Sequence, residues 1–479
     1  MAEAVRPFWE ALSSHGCSTA LVDVASGRRW SYVELARTVD ELAARLRGER
    51  RLLFLLCRND APTVVAWLAA LAAGQPVALL DARLDPSLLR PLLAAYAPEM
   101  VGGPLAPEVA AEYGATAATA PDWPELRRLA GGGVLHPDLA LLLTTSGTTG
   151  SPKFVRLSGR AVAANCASIV EGLEIAADQI AISSLPIHYS YGLSVLNTHL
   201  AAGATVVLTD ESLVAEGFWR AFRDAACTSL AAVPYGYQML RRLDFDALGV
   251  PSLRVMTQAG GKLADPLIAE FHGRMARRGG RFYVMYGQTE ATARITILPW
   301  DQLPAKLGSA GRAVSGGRLS IATDDAPDGD AGTPPGTTGE VIYRGPNVMM
   351  GYALARADLA KGDELGGCLR TGDIGYLDAD GLLFVTGRSR RIAKVFGLRV
   401  NLDEVEALAR RHVACAAVAG PERIILFCET GDGIRTDALR IELSRLLRVN
   451  QVAFDVRHLG RLPLQASGKV DYRALERAV

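Results

Sequence analysis

Short apolar segments alternate with longer segments of helical periodicity through most of the chain. Residues 51–57 and 76–80 have the composition of buried strands, whereas residues 61–73 and 86–95 have helical patterns. Further strands are predicted at residues 181–185, 205–209, 229–233, 254–257 and 281–285, and further helices at residues 194–202, 214–226, 235–243 and 265–277. This rhythm is typical of parallel sheets covered by helices. It therefore predicts an α/β fold with two successive α/β halves.

The chain has 479 residues, too many for one compact core, so two or three domains are expected. Residues 321–340 contain short strands and turns rich in Pro, Gly and Asp, which predict a small β subdomain. Within it, residues 324–338 have the composition of a long mobile loop. Residues 387–406 place charged residues between apolar ones and include flexible glycines, so we expect a domain boundary there. The prediction is a large domain at residues 1–387 and a small α+β domain at residues 388–479.

Charge and cysteine usage exclude several classes of protein. Basic and acidic residues both number 51, so nothing indicates binding to nucleic acid or to an anionic membrane. Seven scattered cysteines without a CxxC pair favour a reducing compartment over a disulfide framework or a zinc site. The most apolar span, residues 63–80, is interrupted by Gly74-Gln75-Pro76. We therefore expect a cytoplasmic protein without a membrane span or signal peptide.

The segment at residues 141–153 begins as an apolar strand and ends in a loop of hydroxyl residues and glycines. The glycines let the backbone approach an anion, the hydroxyls donate hydrogen bonds, and the final lysine adds a compact charge. These properties suit a polyphosphate, and the residues concerned are Thr144, Thr145, Ser146, Gly147, Thr148, Thr149, Gly150 and Lys153. The spacing excludes a Walker A loop. Taken alone, this composition would favour a Ser/Thr/Gly-rich surface linker.

Two more segments follow predicted strands closely. Gly260 and Gly261 would allow a flat ligand to lie against the backbone, although a plain turn explains them almost as well. The string that begins at Tyr286 and Gly287 continues with Gln288, Thr289 and Glu290. An aromatic ring can stack on adenine, a hydroxyl can contact a phosphate, and a carboxylate with substrate phosphates suits Mg²⁺. A nucleotide pocket at the ends of these strands is the resulting hypothesis.

Aromatic residues and a histidine at a strand end commonly line a ligand cleft, and they occur at residues 185–193. A core histidine is an equally good local interpretation. Taken alone, Asp373 would usually be interpreted as an Asx-turn residue, and Lys469 as an ordinary solvated lysine.

Taken in order, these segments resemble the signature motifs of the adenylate-forming superfamily, which includes acyl-CoA synthetases, aryl-acid ligases, luciferases and nonribosomal-peptide adenylation domains. The resemblance extends from residue 139 to residue 472. It implies ATP and Mg²⁺ as cofactors, a small carboxylic acid as substrate, and CoA or the phosphopantetheine of an acyl or peptidyl carrier protein as acyl acceptor. It also implies a mobile C-terminal domain that rotates between two half-reactions.

The resemblance assigns a role to each matching residue. Thr289, Glu290 and Lys469 are expected to act at the reacting centre, with Glu290 also holding Mg²⁺. The acyl pocket would consist of His188, Tyr189, Ser190, Tyr191 and Gly192. The nucleotide would be held by the residues of the phosphate loop together with Gly260, Gly261, Tyr286, Gly287, Gln288, Asp373 and Arg388, and Arg390 stands at the hinge position.

The chain departs from the family pattern at four positions. Tyr189 stands where histidine is customary, with His188 one place earlier, which leaves the identity of the residue that gates the substrate open. Ser190 replaces the aspartate of amino-acid-activating relatives and the asparagine common in aryl-acid relatives. Val284 stands where Asn or Gln often contacts adenine, and Arg390 replaces aspartate or lysine.

We therefore predict a ligase that forms an acyl-adenylate, releases pyrophosphate and transfers the acyl group to a thiol. Residues 397–406 are nearer the carrier-protein-linked branch than the branches that place proline at position 402. Two alternatives stay open: transfer to an amine or another nitrogen or oxygen nucleophile, and a nucleotide-binding homologue without catalysis.

Overall fold

A computed structural model of the chain describes most of its residues. The described residues are 7–117, 126–144, 153–323, 326–327, 329, 333–388, 391–395, 398–421, 423–429, 436–447, 449–465 and 469–479. The chain divides into two compact units. Unit 1 comprises Met1–Arg318 and Arg344–Leu369, and unit 2 comprises Leu319–Tyr343 and Arg370–Val479.

The α-helices of unit 1 are α1 (Tyr32–Leu46), α2 (Ala61–Ala72), α3 (Pro86–Tyr96), α4 (Pro107–Glu112), α5 (Gly159–Leu173), α6 (Ser190–Ala201), α7 (Glu216–Asp224), α8 (Pro234–Arg242) and α9 (Asp265–Arg277). Several begin at a side-chain cap, and Ser31 with Glu34 forms a reciprocal capping box at the start of α1. Proline at the first turn of α2, α3, α4, α8 and α9 suits a position where no backbone N–H is needed.

A nine-stranded sheet forms one half of unit 1. Its strands are β1 (Thr19–Asp23), β2 (Arg28–Ser31), β10 (Ile180–Ile182), β11 (Thr205–Leu208), β12 (Ser229–Ala232), β13 (Val255–Gln258), β14 (Arg281–Tyr286), β15 (Thr296–Leu298) and β16 (Arg312–Ala313). The order is β16-β15-β14-β13-β12-β10-β11-β1-β2. The inner pairs are parallel, whereas β2, β15 and β16 add antiparallel edges.

An eight-stranded sheet forms the other half. Its strands are β3 (Leu53–Cys57), β4 (Val77–Asp81), β5 (Met100–Gly102), β6 (Thr116–Ala117), β7 (Arg127–Arg128), β8 (Leu139–Thr144), β9 (Phe154–Ser158) and β19 (Gly351–Ala353). The order is β19-β9-β8-β4-β3-β5-β7-β6. Its central strands β3, β4, β5 and β8 pair in parallel and are apolar on both faces, as expected for a sheet covered by helices.

The described residues of unit 2 form three small sheets. A four-stranded sheet has β17 (Arg318–Ala322), β18 (Gly339–Arg344), β20 (Cys368–Leu377) and β21 (Leu383–Arg388); a hairpin has β22 (Ile392–Val395) and β23 (Leu398–Asn401); a third sheet has β24 (Cys415–Gly420), β25 (Arg423–Glu429) and β26 (Phe454–Leu459). The helices are α10 (Leu402–Ala409), α11 (Thr436–Leu447) and α12 (Tyr472–Glu476). Sheet and helices bury a separate apolar core that includes Val405, Leu426 and Leu443.

The predicted α/β fold with mainly parallel sheets and a small α+β C-terminal part is confirmed. The predicted helix at residues 265–277 has the observed bounds, whereas α6 begins at Ser190, four residues before the predicted start at residue 194. The β subdomain around residues 321–340 is present as β17 and β18 and belongs to unit 2. A boundary between moving domains at residues 387 and 388 stays a prediction. Within the described residues, no helix is long and apolar enough to cross a membrane.

Candidate active site

The strands β12, β13 and β14 run parallel, so their carboxyl ends lie at one edge of the nine-stranded sheet. Gly260 and Gly261 follow β13, and Tyr286 is the last residue of β14. Ligands of open α/β sheets bind at this kind of edge. The structure therefore brings two separately predicted motifs to one edge of a sheet in unit 1.

Lys153 and Glu290 meet through the side chain of Tyr352. The Lys153 Nζ lies 3.4 Å from the centre of the Tyr352 ring. The Tyr352 hydroxyl donates a hydrogen bond of 2.8 Å to Glu290 Oε1, and the Glu290 carbonyl accepts from the Met349 amide at 2.9 Å. The cation predicted to contact phosphates and the carboxylate predicted to hold Mg²⁺ are thus linked by one aromatic residue.

The predicted phosphate loop is described only at its two ends. Thr144 is the exposed last residue of β8, and it pairs across the antiparallel ladder with Phe154 of β9. Thr144 and Lys153, the two described ends of the loop, therefore lie close to each other at one end of the β8–β9 ladder. Thr145, Ser146, Gly147, Thr148, Thr149 and Gly150 lie outside the described residues.

The segment after β14 turns back tightly on itself. A Cβ atom at Gly287 would overlap the carbonyl oxygen of Ala293, so only glycine fits there. The Gln288 side chain donates to the Tyr286 hydroxyl at 3.3 Å. The turn presents Thr289, whose Oγ1 lies 3.4 Å from Ser190 Oγ at the start of α6. Thr289 and Ser190, predicted for the reacting centre and the acyl pocket respectively, are therefore neighbours.

Tyr189, rather than His188, lies against the glycine turn. Gly260 has a φ of 81°, and a Cβ atom there would lie 2.6 Å from the Tyr189 hydroxyl oxygen. Burial raises the pKa of Tyr189, so its hydroxyl stays protonated at neutral pH. His188 Nε2 is instead 3.9 Å from Asp81 Oδ2, and burial lowers the pKa of this histidine. Of these two candidate gate residues, Tyr189 is the one that lies at the glycine turn.

Tyr191 is buried behind Tyr189 and is held by Thr257, whose carbonyl accepts from the Tyr191 hydroxyl at 2.9 Å. Burial raises the pKa of Tyr191 to about 12. The next residue, Gly192, has no room for a side chain, because a Cβ atom would overlap the carbonyl oxygen of Pro186.

Two residues of this region were missed by the sequence analysis. Tyr352 closes a segment that resembles the family but was not predicted to join the site. Arg294 is 3% exposed, and its guanidinium lies 4.0 Å from the centre of the Tyr191 ring. The sequence did offer a signal for Arg294, because it is a charged residue among the small and apolar residues that precede β15.

Unit 2 pairs the two residues predicted to contact ribose. Asp373 of β20 and Arg388 of β21 face each other across the antiparallel ladder. Arg388 Nε donates to Asp373 Oδ1 at 2.9 Å, and the Arg388 amide donates to Asp403 Oδ2 at 2.9 Å. Asp373 is buried, whereas the Arg388 side chain is 66% exposed. Arg390, the predicted hinge residue, lies outside the described residues.

Lys469 belongs to unit 2, where backbone contacts join residues 469 and 470 to residues 464 and 465. The Gln465 amide donates to the Lys469 carbonyl at 2.7 Å, and Leu464 pairs with Val470. Burial, and secondarily the charge of Arg388, lower the pKa of Lys469. Lys469 thus differs from a solvated surface lysine, and it belongs to the same unit as the Asp373–Arg388 pair.

A sequence model of the family described as "AMP-binding enzyme" matches residues 8–353. Indoleacetate–CoA ligase of Aromatoleum aromaticum is 33% identical over 346 residues, which cover 69% of this chain and 65% of that protein. Sulfoacetate–CoA ligase of Cupriavidus necator is 30% identical over 70% of this chain and 66% of its own length. L-proline–[L-prolyl-carrier protein] ligase of Streptomyces coelicolor is 31% identical over 71% of this chain and 66% of its own length. The chain thus spans slightly less than two thirds of the length of these curated relatives.

Solved structures match the fold over nearly the whole chain. One is o-succinylbenzoate CoA synthetase of Bacillus subtilis in complex with its acyl-adenylate intermediate, with a TM-score of 0.76, 23% identity and 98% of each chain covered. The same enzyme in complex with ATP and magnesium has a TM-score of 0.77 at 22% identity, covering 98% of this chain and 99% of that one. A fatty acyl CoA synthetase of Mycobacterium tuberculosis has a TM-score of 0.74 at 18% identity, with 98% of each chain covered. At these identities the likeness concerns the fold.

Proposed function

The chain belongs to the AMP-binding enzyme family, and from this membership we propose that it activates a carboxylic acid with ATP and passes the acyl group to a thiol. In the first step a carboxylate oxygen attacks the α-phosphorus of ATP, and the bond to pyrophosphate breaks. In the second step a thiolate sulfur attacks the acyl carbon, and AMP leaves. The products are pyrophosphate, AMP and a thioester.

The observation that carries the proposal is the link from Lys153 through Tyr352 to Glu290. The lysine supplies a positive charge for the departing phosphates, and the carboxylate supplies an oxygen ligand for Mg²⁺. Bound Mg²⁺ would neutralise charge on the phosphates during transfer. The arrangement fits MgATP, because Glu290 is linked through Tyr352 to Lys153, the last residue of the segment that we expect to hold the phosphates.

The reacting carboxylate is assigned to the space beside Thr289 and Ser190, whose hydroxyls are 3.4 Å apart. A carboxylate there could accept from both hydroxyls and approach the α-phosphorus in a fixed direction. Lys469 is assigned to bridge the carboxylate and the α-phosphate, where its ammonium would neutralise charge that develops in the transition state. No covalent nucleophile is required for this reaction.

The nucleoside is assigned to Tyr286, Gly260, Gly261 and the Asp373–Arg388 pair. Stacking on the Tyr286 ring would hold adenine, and the glycine turn would admit a flat base. Ribose hydroxyls would donate to the Asp373 carboxylate, whose position is held by the Arg388 Nε contact of 2.9 Å. The remaining expected nucleotide contacts, Gly287 and Gln288, lie in the turn that presents Thr289.

A thiol is proposed as acceptor because the relatives are ligases that use CoA or a carrier protein. Rotation of the C-terminal domain about a hinge near Arg390 would separate the two half-reactions. A cytoplasmic location and the absence of nucleic-acid partners stay predictions.

The test is pyrophosphate release by the full chain with ATP, Mg²⁺ and a panel of carboxylic acids. CoA and a phosphopantetheinylated carrier protein are each added or withheld. We expect acid-dependent release, sustained turnover with one thiol acceptor, and a thioester visible by mass spectrometry. The matched variant is Glu290→Gln, which removes the charge but changes the volume little. It should need a far higher Mg²⁺ concentration to reach the same rate of pyrophosphate release. Tight ATP binding without release for any acid would contradict the proposal and favour a non-catalytic homologue. Release with transfer only to amines would contradict the second step alone.

A further inference from the structure

Arg294 is a buried cation whose hydrogen-bond partners are weak. Its Nε donates to Met285 Sδ at 3.2 Å, and its two terminal nitrogens donate to the Ala293 carbonyl at 3.3 Å and Ser194 Oγ at 3.4 Å. The Tyr191 ring lies 4.0 Å away. Among the residues that the structure describes, no carboxylate lies within ion-pair distance of this guanidinium.

Arg156, another buried arginine of the same chain, has the compensating contacts expected of a purely structural residue. It is also fully buried, but it forms an ion pair with Glu364 and donates to the carbonyls of Tyr352, Lys361 and Met350. Buried charges are normally compensated in this way, because an unpaired ion loses its hydration without replacement. Arg294 has only the ring of Tyr191, a weakly accepting thioether sulfur and two long hydrogen bonds to oxygen, so its electrostatic compensation is incomplete.

A small cavity adjoins Arg294, with a volume of about 20 Å³. Its polar lining includes Ser194, His199, Thr257 and Arg294. His199 Nε2 is buried without a hydrogen-bond partner among the described residues, whereas its Nδ1 lies 2.8 Å from the Val195 carbonyl. Because burial lowers the pKa of His199 to about 4, the ring is neutral, and Nε2 can accept a hydrogen bond. The cavity therefore offers one cation, Arg294, to the end of a ligand, and the neutral His199 ring adds no second charge.

The cavity is one helical turn from the expected reacting centre. Ser190 faces Thr289, and Ser194 faces Arg294, on the same side of α6. One turn of helix rises about 5.4 Å. This spacing corresponds to the separation of the two acid groups in a diacid of about four to six carbons.

We propose that the acid activated by this protein carries a second anionic group, a carboxylate or sulfonate, and that Arg294 binds that group. The inference rests on the proposed function and adds a class of substrate to it. Arg294 is then a specificity-determining residue rather than a catalytic one.

The experiment compares acids matched in length but not in charge. Pyrophosphate release by the full chain is measured with pentanoate, glutarate and 4-sulfobutanoate, and with benzoate and isophthalate. We expect kcat/KM at least about tenfold higher for the dianionic member of a pair. Arg294→Met should abolish this preference mainly through KM, and Arg294→Lys should keep part of it. Arg281→Met, which removes an arginine stacked near Trp300, is the control and should leave the preference unchanged.

A melting experiment separates ligand binding from a structural role. Without ligand, Arg294→Met should melt at the same or a higher temperature than the parent, because an unpaired buried charge is removed. A structural arginine would give a lower melting temperature instead. A dianionic acid should raise the melting temperature of the parent and not of Arg294→Met. If that variant does not fold, the same comparison is made with Arg294→Lys, which should show a reduced rise.

The outcomes distinguish this inference from the proposed function. Equal pyrophosphate release with monoanionic and dianionic acids, and the same ratio of their kcat/KM values in the Arg294 variants, overturns the inference and supports the proposed function. Arginine-dependent stabilisation by glutarate or 4-sulfobutanoate without any release supports the anion site and contradicts adenylation. Neither stabilisation nor release with any dianionic acid overturns the inference.

Discussion

Tyr352 connects two opposite charges through the two parts of one side chain. Its ring face contacts the Lys153 ammonium, and its hydroxyl donates to Glu290. A phenylalanine would keep the first contact and lose the second. The two contributions can therefore be separated by mutation.

We predict that Tyr352→Phe weakens the response to Mg²⁺. A hydrogen bond to a charged group is worth about 1.5–3 kcal/mol, so the half-saturating Mg²⁺ concentration should rise roughly tenfold or more. The measurement is a Mg²⁺ titration of pyrophosphate release. Tyr113→Phe is the control, because it loses a similar hydroxyl contact, 3.3 Å to the Arg90 carbonyl, away from the site. An unchanged Mg²⁺ dependence in Tyr352→Phe would show that the tyrosine hydroxyl does not orient Glu290 for the metal.

Lys469 gives a prediction about pH. In the role that we propose, its side chain must be protonated to neutralise developing charge, and burial lowers its pKa below the ordinary value of 10.5. As pH rises, the adenylation rate should therefore fall at a lower pH than the loss of a proton from a solvated lysine would give. In Lys469→Arg, whose guanidinium keeps its proton, a pH profile of pyrophosphate release should show this fall at a higher pH.

The same residue can be tested for its part in each half-reaction. Lys469→Ala should lose adenylation while retaining thioester formation from a supplied acyl-adenylate. Adenylation by Lys469→Ala at the parent rate would refute the assignment.

At the scale of elements, the first turn of α6 positions much of the expected acyl pocket. The chain enters this helix at Tyr189 and carries Ser190 and Tyr191 on the next two positions. It passes so close to the preceding turn that a Cβ atom at Gly192 would overlap the Pro186 carbonyl oxygen. Glycine is therefore required here for space rather than for an unusual dihedral angle.

We predict opposite effects of Gly→Ala substitutions in two helices. Gly192→Ala should destabilise the protein by about 1–3 kcal/mol, because the backbone must move to admit the methyl group. Gly273→Ala in α9 should stabilise it by up to about 1 kcal/mol, because its nearest neighbour is the mobile end of Arg277 at 3.7 Å. Chemical denaturation measures both. Equal effects of the two substitutions on the free energy of unfolding would mean that the backbone of the first turn of α6 moves to admit the methyl group without loss of stability.

At the scale of the whole molecule, unit 2 has its own buried network of charges. Glu406 is 1% exposed and accepts from the Ala417 amide at 2.7 Å and from the Tyr472 hydroxyl at 2.9 Å. It also pairs with Arg391 and Arg410. One carboxylate thus joins α10, β24 and α12 to the segment after β21.

Glu406→Gln should destabilise unit 2 by about 1.5–3 kcal/mol, because a neutral amide replaces the buried carboxylate that pairs with Arg391 and Arg410. Peptide-resolved hydrogen exchange should show faster exchange in β24, β25 and α10, with the nine-stranded sheet unchanged. Glu442→Gln, which breaks the more exposed pair with His412, is the control and should have little effect. Equal protection in Glu406→Gln and the parent would show that the network adds no stability.

The secondary structure was largely predictable, but the path of the chain was not. Helix α1 was not predicted, although Ser31 and Glu34 carry the capping-box signal. Strand β1, the first strand of the chain, lies beside β11, with Leu21 opposite Val206. No local pattern indicates a partner so distant in the chain. The position of β17 and β18 in unit 2 was likewise decided by packing rather than by sequence order.

The sequence by itself determined the local features: hydrophobic periodicity, the glycines that allow tight turns, and the order of motifs that identifies the family. These depend on interactions within a few residues. Only the tertiary structure decided that Tyr352 joins Lys153 to Glu290, that Tyr189 rather than His188 faces Gly260, and that Arg294 is buried without a carboxylate among the described residues. Such contacts depend on where distant segments meet, and on whether a buried charge finds a partner there.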